Sequence, residues 1–161
     1  MFIGMNYING DLYPHRPDFS TPIGIFPQSN QEEINLASKL FDWKKVDEVD
    51  RIDKVFRLLE NIDKKLYFYW VVENSNERLS EKEFRERLRD SIEREDFFSG
   101  ITVIDQNDFF DIFSKIINGF VNGESLILFP KTYRCTIQHL VSLFDKINIP
   151  PGVVNLLHIK G

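Results

Sequence analysis

Apolar positions recur at helical spacing through the middle of the chain and collapse into short continuous runs towards its end. Val49, Ile52, Val55, Phe56, Leu59 and Ile62 follow the i, i+3, i+4 rule, which predicts an amphipathic helix from about residue 46 to 64. Upstream, Ser29 followed by Glu32 and Glu33 reads as a capping box opening a helix through Leu36, Leu40 and Phe41. Ser80 with Glu83 repeats the signature before EKEFRERLRDSIERED, where Phe84, Leu88 and Ile92 form one stripe. The alternating charges around that stripe read as a solvated helix with a narrow buried face. The run from Leu66 to Val72 is aromatic and β-branched, which favours a strand, with continuation of the preceding helix as the alternative.

After Gly100 the pattern becomes strand, helix, strand, helix, strand: ITVI at Ile101–Ile104, a helix over about 108–118, LILF at Leu126–Phe129, a helix over about 132–147, and VVNLLHI at Val153–Ile159. Short apolar strands alternating with helices imply βαβ units and a parallel sheet with right-handed crossovers. The first 28 residues carry Pro14, Pro17, Pro22 and Pro27 with Gly4, Gly10 and Gly24, so they read as extended chain with turns. A turn at Asn9–Asp11 joins two short strands there. The expectation is an α/β fold in one domain, 1–161, with an N-terminal extended and helical part (1–99) packed on a βαβαβ part (100–161).

Composition narrows the function. A chain of 161 residues, 42% apolar, has material for one core. Its 15 Phe against 2 Met point to a Phe-rich core or to aromatic surface kept for a partner. A net charge of −5 argues against a phosphate-tracking surface, so nucleic acid is not expected. There is no membrane-length apolar run, and MFIGMNYING lacks the basic start and apolar stretch of a signal peptide; a cytoplasmic or nucleocytoplasmic setting follows as an expectation. The single cysteine, Cys135, excludes an internal disulfide and a cysteine-based zinc site, and His15, His139 and His158 form no ligand motif.

Three collinear stretches resemble the N-terminal part of the aldehyde dehydrogenase superfamily. NYINGD followed by TPIGIFPQSNQEEINLASKLF is similar to that family's opening strands and first helix. GITVIDQNDFFDIFSKIINGFVNG resembles its G-V-I-x-P-W-N-F-P stretch and the helix after it. GESLILFPKTYRCTIQHLVSLFDKINIPPGVVNLL resembles the G-N-x-V-V-L-K-P-S-E-x-T-P turn, its helix and the P-P-G-V-x-N return. The likeness is weakest over residues 64–99. It implies that residues 100–161 begin a Rossmann-like cofactor domain.

The same resemblance implies that the family's chemistry is missing. Asn107 matches the oxyanion-hole Asn, but Asp105 and Gln106 stand where the family has Pro and Trp. The ribose-holding Lys and Glu of the turn correspond to Phe129 and Thr132; Phe cannot donate a hydrogen bond and Thr has no carboxylate. Cys135 falls at the Pro of the helix start, and Gly161 lies short of the family's phosphate turn, base and nucleophile motifs. The implied protein is a truncated, non-catalytic domain with no cofactor and no metal.

Taken as residues alone, Cys135 near Arg134, Lys131 and a helix start has neighbours that can lower a thiol pKa, against the ordinary reading of a buried inert thiol. His139 and His158 have no Asp or Ser at a triad spacing. Asp105, Asp108 and Asp111 form no compelling carboxylate pair, and Asp108 reads more simply as a helix cap. The function expected is protein–protein interaction, with a partner or with itself, through the strand Val153–Ile159 as an open sheet edge. Nucleotide or small-ligand binding at the strand ends, and an unrelated acidic inhibitor or immunity-type protein, are the alternatives.

Overall fold

The computed structural model describes residues 1–74, 77–93, 101–104 and 108–160, the stretch 101–104 by its backbone. In chain order they form β1 (Phe2–Ile3), β2 (Tyr7–Ile8), β3 (Asp11–Leu12), β4 (Phe19–Thr21), β5 (Gly24–Phe26), α1 (Gln31–Ala37), a 3-10 turn at Trp43–Lys45, α2 (Glu48–Glu60), α3 (Lys64–Glu73), α4 (Glu81–Ser91), β6 (Ile101–Ile104), α5 (Phe109–Val121), β7 (Leu126–Pro130), α6 (Arg134–Lys146) and β8 (Val154–Leu156). One sheet has the order β1-β5-β4 and the other β3-β2-β8-β7-β6. Strands β6, β7 and β8 run parallel, pairing Ile101 with Ile127 and Leu126 with Val154, as the alternating pattern predicts.

The N-terminal turn also forms as predicted. Asn9 (φ 51°) and Gly10 (φ 86°) take left-handed conformations, which lets β2 and β3 close into a two-residue hairpin. That hairpin overturns one expectation. The strand expected at Val153–Ile159 is not a sheet edge, because β2 lies antiparallel against β8, with Tyr7 opposite Leu156. The regular strand is also shorter: beyond Leu156 the chain is held by other partners, the Leu157 N–H donating to Leu128 O and His158 O accepting from the Ser29 N–H.

Two helix starts match their sequence signals and one shifts. Ser80 and Glu83 form a reciprocal capping box on α4, and Asp108 accepts from the Phe110 N–H at the start of α5. For α1 the cap is Asn30, whose side chain accepts from the Glu33 N–H while Glu33 reaches back to the Asn30 N–H. Ser29 instead donates its hydroxyl to His158 O, a contact 129 residues away. The helix ends at Ala37, short of Leu40 and Phe41.

The run Leu66–Val72 is helix, not strand. Asp63 caps it by accepting from the Leu66 N–H at 3.0 Å, Leu66 and Trp70 are buried one turn apart, and Tyr67 Oη donates to Leu79 O. Its aromatic composition favours a sheet surface, but α6 and the Phe84 ring are what it meets, and packing overrides propensity. Trp70, Phe84 and Phe110 then form an aromatic core, with Trp70 centred 5.1 Å from Phe84 and 5.7 Å from Phe110. All four phenylalanines of α5 are buried in the core. No helix among the described residues is long and apolar enough to cross a membrane.

Candidate functional site

In open α/β sheets, ligands sit beyond the carboxyl ends of the strands, here the end of β7 and the first turn of α6. Phe129, at the end of β7, is 9% exposed and packs with Ile8, Ala37, Ile127 and Leu157, so the side chain belongs to the layer between the sheet and α1. Thr132 is half-buried in the connecting turn and has a polar or electrostatic partner of its own. Asn107 and Asp105 lie outside the described residues.

The start of α6 carries the most informative geometry. Its cap residue, Tyr133, is in the left-handed region (φ 53°) and supplies no side-chain cap. Glu73, at the end of α3, takes that place: one carboxylate oxygen accepts from the Thr136 N–H at 2.6 Å and the Thr136 hydroxyl at 2.7 Å, the other from the Cys135 N–H at 3.2 Å. A helix N-terminus ordinarily attracts an external anion. Here the anion is internal. Burial pushes the Glu73 carboxyl above its usual range despite these hydrogen bonds.

Arg134 is turned away from the strand ends. Its guanidinium lies over the Phe19 ring at 5.2 Å and the Phe26 ring at 5.9 Å, and donates to Ile159 O. Burial lowers its pKa. Cys135 is buried with Phe19 and Phe26, and burial together with the Glu73 charge pushes its thiol upward, the opposite of an activated thiolate. The structure therefore supports the inert reading of Cys135.

The fold gives His139 a partner that no spacing rule shows. Its Nε2 lies 2.8 Å from Asp63 Oδ1, a residue 76 positions earlier, and its ring packs on Tyr69 at 5.5 Å. Burial acts to raise Asp63, but hydrogen bonds from Leu66 and His139 outweigh it and hold the carboxyl below its usual value. Asp63 thus caps α3 and ties α3 to α6. His158 is fully buried, with Nε2 2.7 Å from Gln138 Oε1. Burial, then the nearby Arg134 charge, pushes its pKa down to about 3.

Around His158 lies a polar cluster that sequence reading misses entirely. Asn6 donates through Nδ2 to Ser29 Oγ (3.0 Å) and Glu33 Oε2 (2.7 Å), while its Oδ1 accepts from the His158 N–H (2.8 Å). Arg16 closes the cluster on Glu33 Oε1 at 2.6 Å. A second such residue is Asn155 in the PPGVVN run. Its Oδ1 accepts from the Asn9 N–H, and its Nδ2 donates to Leu126 O and Gly152 O. These networks fasten the N-terminal strands to the end of the sheet; they bring no open coordination or nucleophilic position together. Among the described residues, no group of three or more His, Cys, Asp or Glu is placed to hold a metal ion.

No family model and no curated protein matches the chain. Solved structures do. A variant of 1-pyrroline-5-carboxylate dehydrogenase from Thermus thermophilus superposes with a TM-score of 0.69 at 17% identity, over 99% of this chain and 40% of that one. An aldehyde dehydrogenase from Bartonella henselae gives 0.72 at 14% identity, over 99% and 44%. An NADP-dependent glyceraldehyde-3-phosphate dehydrogenase from Bacillus halodurans, complexed with NADP, gives 0.71 at 14%, over 100% and 44%. The chain therefore spans roughly two fifths of the length of these structures. At such identities the likeness establishes the fold: an α/β arrangement that resembles the start of the Rossmann-like cofactor domain of aldehyde dehydrogenases.

Proposed function

We propose that this α/β segment is a non-catalytic, aldehyde-dehydrogenase-like domain that acts by protein–protein interaction in the cytoplasm or nucleocytoplasm. The observation that carries the proposal is the outer face of α3, where Phe68, Val71 and Val72 are 61%, 45% and 47% exposed at i, i+3, i+4 spacing. An amphipathic surface helix turns such a stripe inward; this helix has one apolar face in the core and a second in solvent.

Three features support the non-catalytic part. Phe129 is absorbed into the core, the positive end of α6 is filled by Glu73, and Cys135 is a buried thiol with a raised pKa. Thermal unfolding with and without millimolar NAD or NADP tests it: an unchanged Tm is expected, and a concentration-dependent rise overturns the loss of cofactor binding.

The interaction part is tested with a photo-crosslinking phenylalanine analogue placed at Phe68 and, as a control, at the solvent-exposed Lys82 of α4. Protein adducts are expected from position 68 and not from position 82. Absence of any adduct at 68 overturns the interaction role.

A further inference from the structure

We infer that the outer face of α3 takes a second copy of this chain, the two α3 helices lying antiparallel about a two-fold axis. This rests on the reading of α3 as an interaction surface and names its occupant. An isologous contact requires one patch to carry both a feature and its complement. The α3 face does. Phe68 projects into solvent beside a cleft of about 420 Å³ walled by Phe2, Ile23, Tyr69 and Val72. Under the two-fold operation each Phe68 enters the other copy's cleft. Met1, also exposed, lines the same cleft and widens the patch.

Charge selects the antiparallel arrangement. Lys64 and Lys65 occupy the first turn of α3, which holds no acidic residue, and the last turn holds no basic one. Both lysines are exposed, and neither has an ion-pair partner among the described residues. They oppose the dipole of their own helix. A neighbouring α3 running the other way brings its carbonyl end to these lysines, and the symmetry does so twice. A parallel partner would set lysines against lysines.

The expected dimer is weak. A ten-residue helix is about 15 Å long, and even with the cleft and β1 the contact falls short of the roughly 800 Å² per partner of a standard interface. Sedimentation velocity from about 1 to 200 µM should show the mass rising from 19.0 kDa towards twice that value. Phe68→Asp should raise the dissociation constant at least about thirtyfold. Lys64→Glu with Lys65→Glu, two exposed positions, should weaken the dimer while leaving the Tm of the chain no lower, since acidic residues suit a helix start, and high salt should also weaken the dimer.

A chain that stays monomeric throughout, or a dimer indifferent to both the Phe68 and the lysine changes, overturns the inference. A monomer that still crosslinks through position 68 to a different protein overturns self-association alone and leaves the interaction role standing. A monomer without adducts removes both.

Discussion

Lowering the pH from neutral should loosen this fold through His158. The imidazole is fully buried, its ring centred 4.9 Å from Phe26 and its Nε2 bonded to Gln138. In the folded state its pKa is pushed down to about 3 by burial and by Arg134, against 6.5 for the free side chain. A base whose folded pKa is lowered has no effect on stability well above 6.5. As the pH falls below 6.5 the unfolded chain takes up a proton that the folded chain refuses, and stability drops until the pH reaches about 3. The slope is about 1.4 kcal/mol per pH unit, so close to 2 kcal/mol should be lost between about pH 7.5 and 5. Glu73, with its folded pKa raised above 4.5, works in the opposite direction, because it binds its proton more readily when folded. Glu33 and Asp63, both lowered, lose their contributions only as the pH falls through and below 4.5 and 3.8. Urea unfolding of the wild type and His158→Gln across this range isolates the histidine, since the other groups cancel in the difference. The gap between the two stabilities should change by about 2 kcal/mol over the range. Parallel curves, with a gap constant to within about 0.5 kcal/mol, would refute a buried neutral His158 as the source.

Three further outcomes follow from particular contacts. Asn155→Ala removes three hydrogen bonds at once and leaves Leu126 O, Gly152 O and the Asn9 N–H to find other partners; a loss of about 3 kcal/mol in urea unfolding is expected, and a loss under about 1 would show that water replaces them. Gly4→Ala would set a Cβ 2.2 Å from Phe26 Cδ1, in a ring packed by Phe2, Phe19 and His158; destabilisation of about 1–3 kcal/mol should appear as a lower urea midpoint, and an unchanged midpoint would contradict the packing. Cys135 should react with a disulfide reagent only as the chain opens, its rate in native buffer falling at least about a hundredfold below that in urea; equal rates would mean an accessible thiol.

Much of the architecture is readable from local rules, because those rules act over a few residues. The 3.6-residue spacing marks α2, Ser80 with Glu83 starts α4, Asp108 starts α5, Asn9-Gly10 bends a hairpin, and alternating apolar runs announce the parallel strands. The Phe-rich composition resolves both ways: the four rings of α5 fill the core, while Phe56 and Phe68 stay outside.

Only the tertiary structure settles the rest. The strand propensity of Leu66–Val72 yields to an Asp63 cap and to burial of Leu66 and Trp70 on one helical face. The open edge expected at Val153–Ile159 is closed by Tyr7, some 150 residues away in sequence, because the hairpin folds back onto the sheet. The partner of His139 is Asp63, the cap of α6 is Glu73, and the hub of the N-terminal layer is Asn6 with Ser29, Glu33 and His158. Each of these contacts joins residues more than twenty positions apart, so no periodicity or motif carries it. The sequence determines which segments form and which face of each is apolar; long-range packing determines which polar groups meet, whether a thiol is buried or reactive, and which apolar face is left in water.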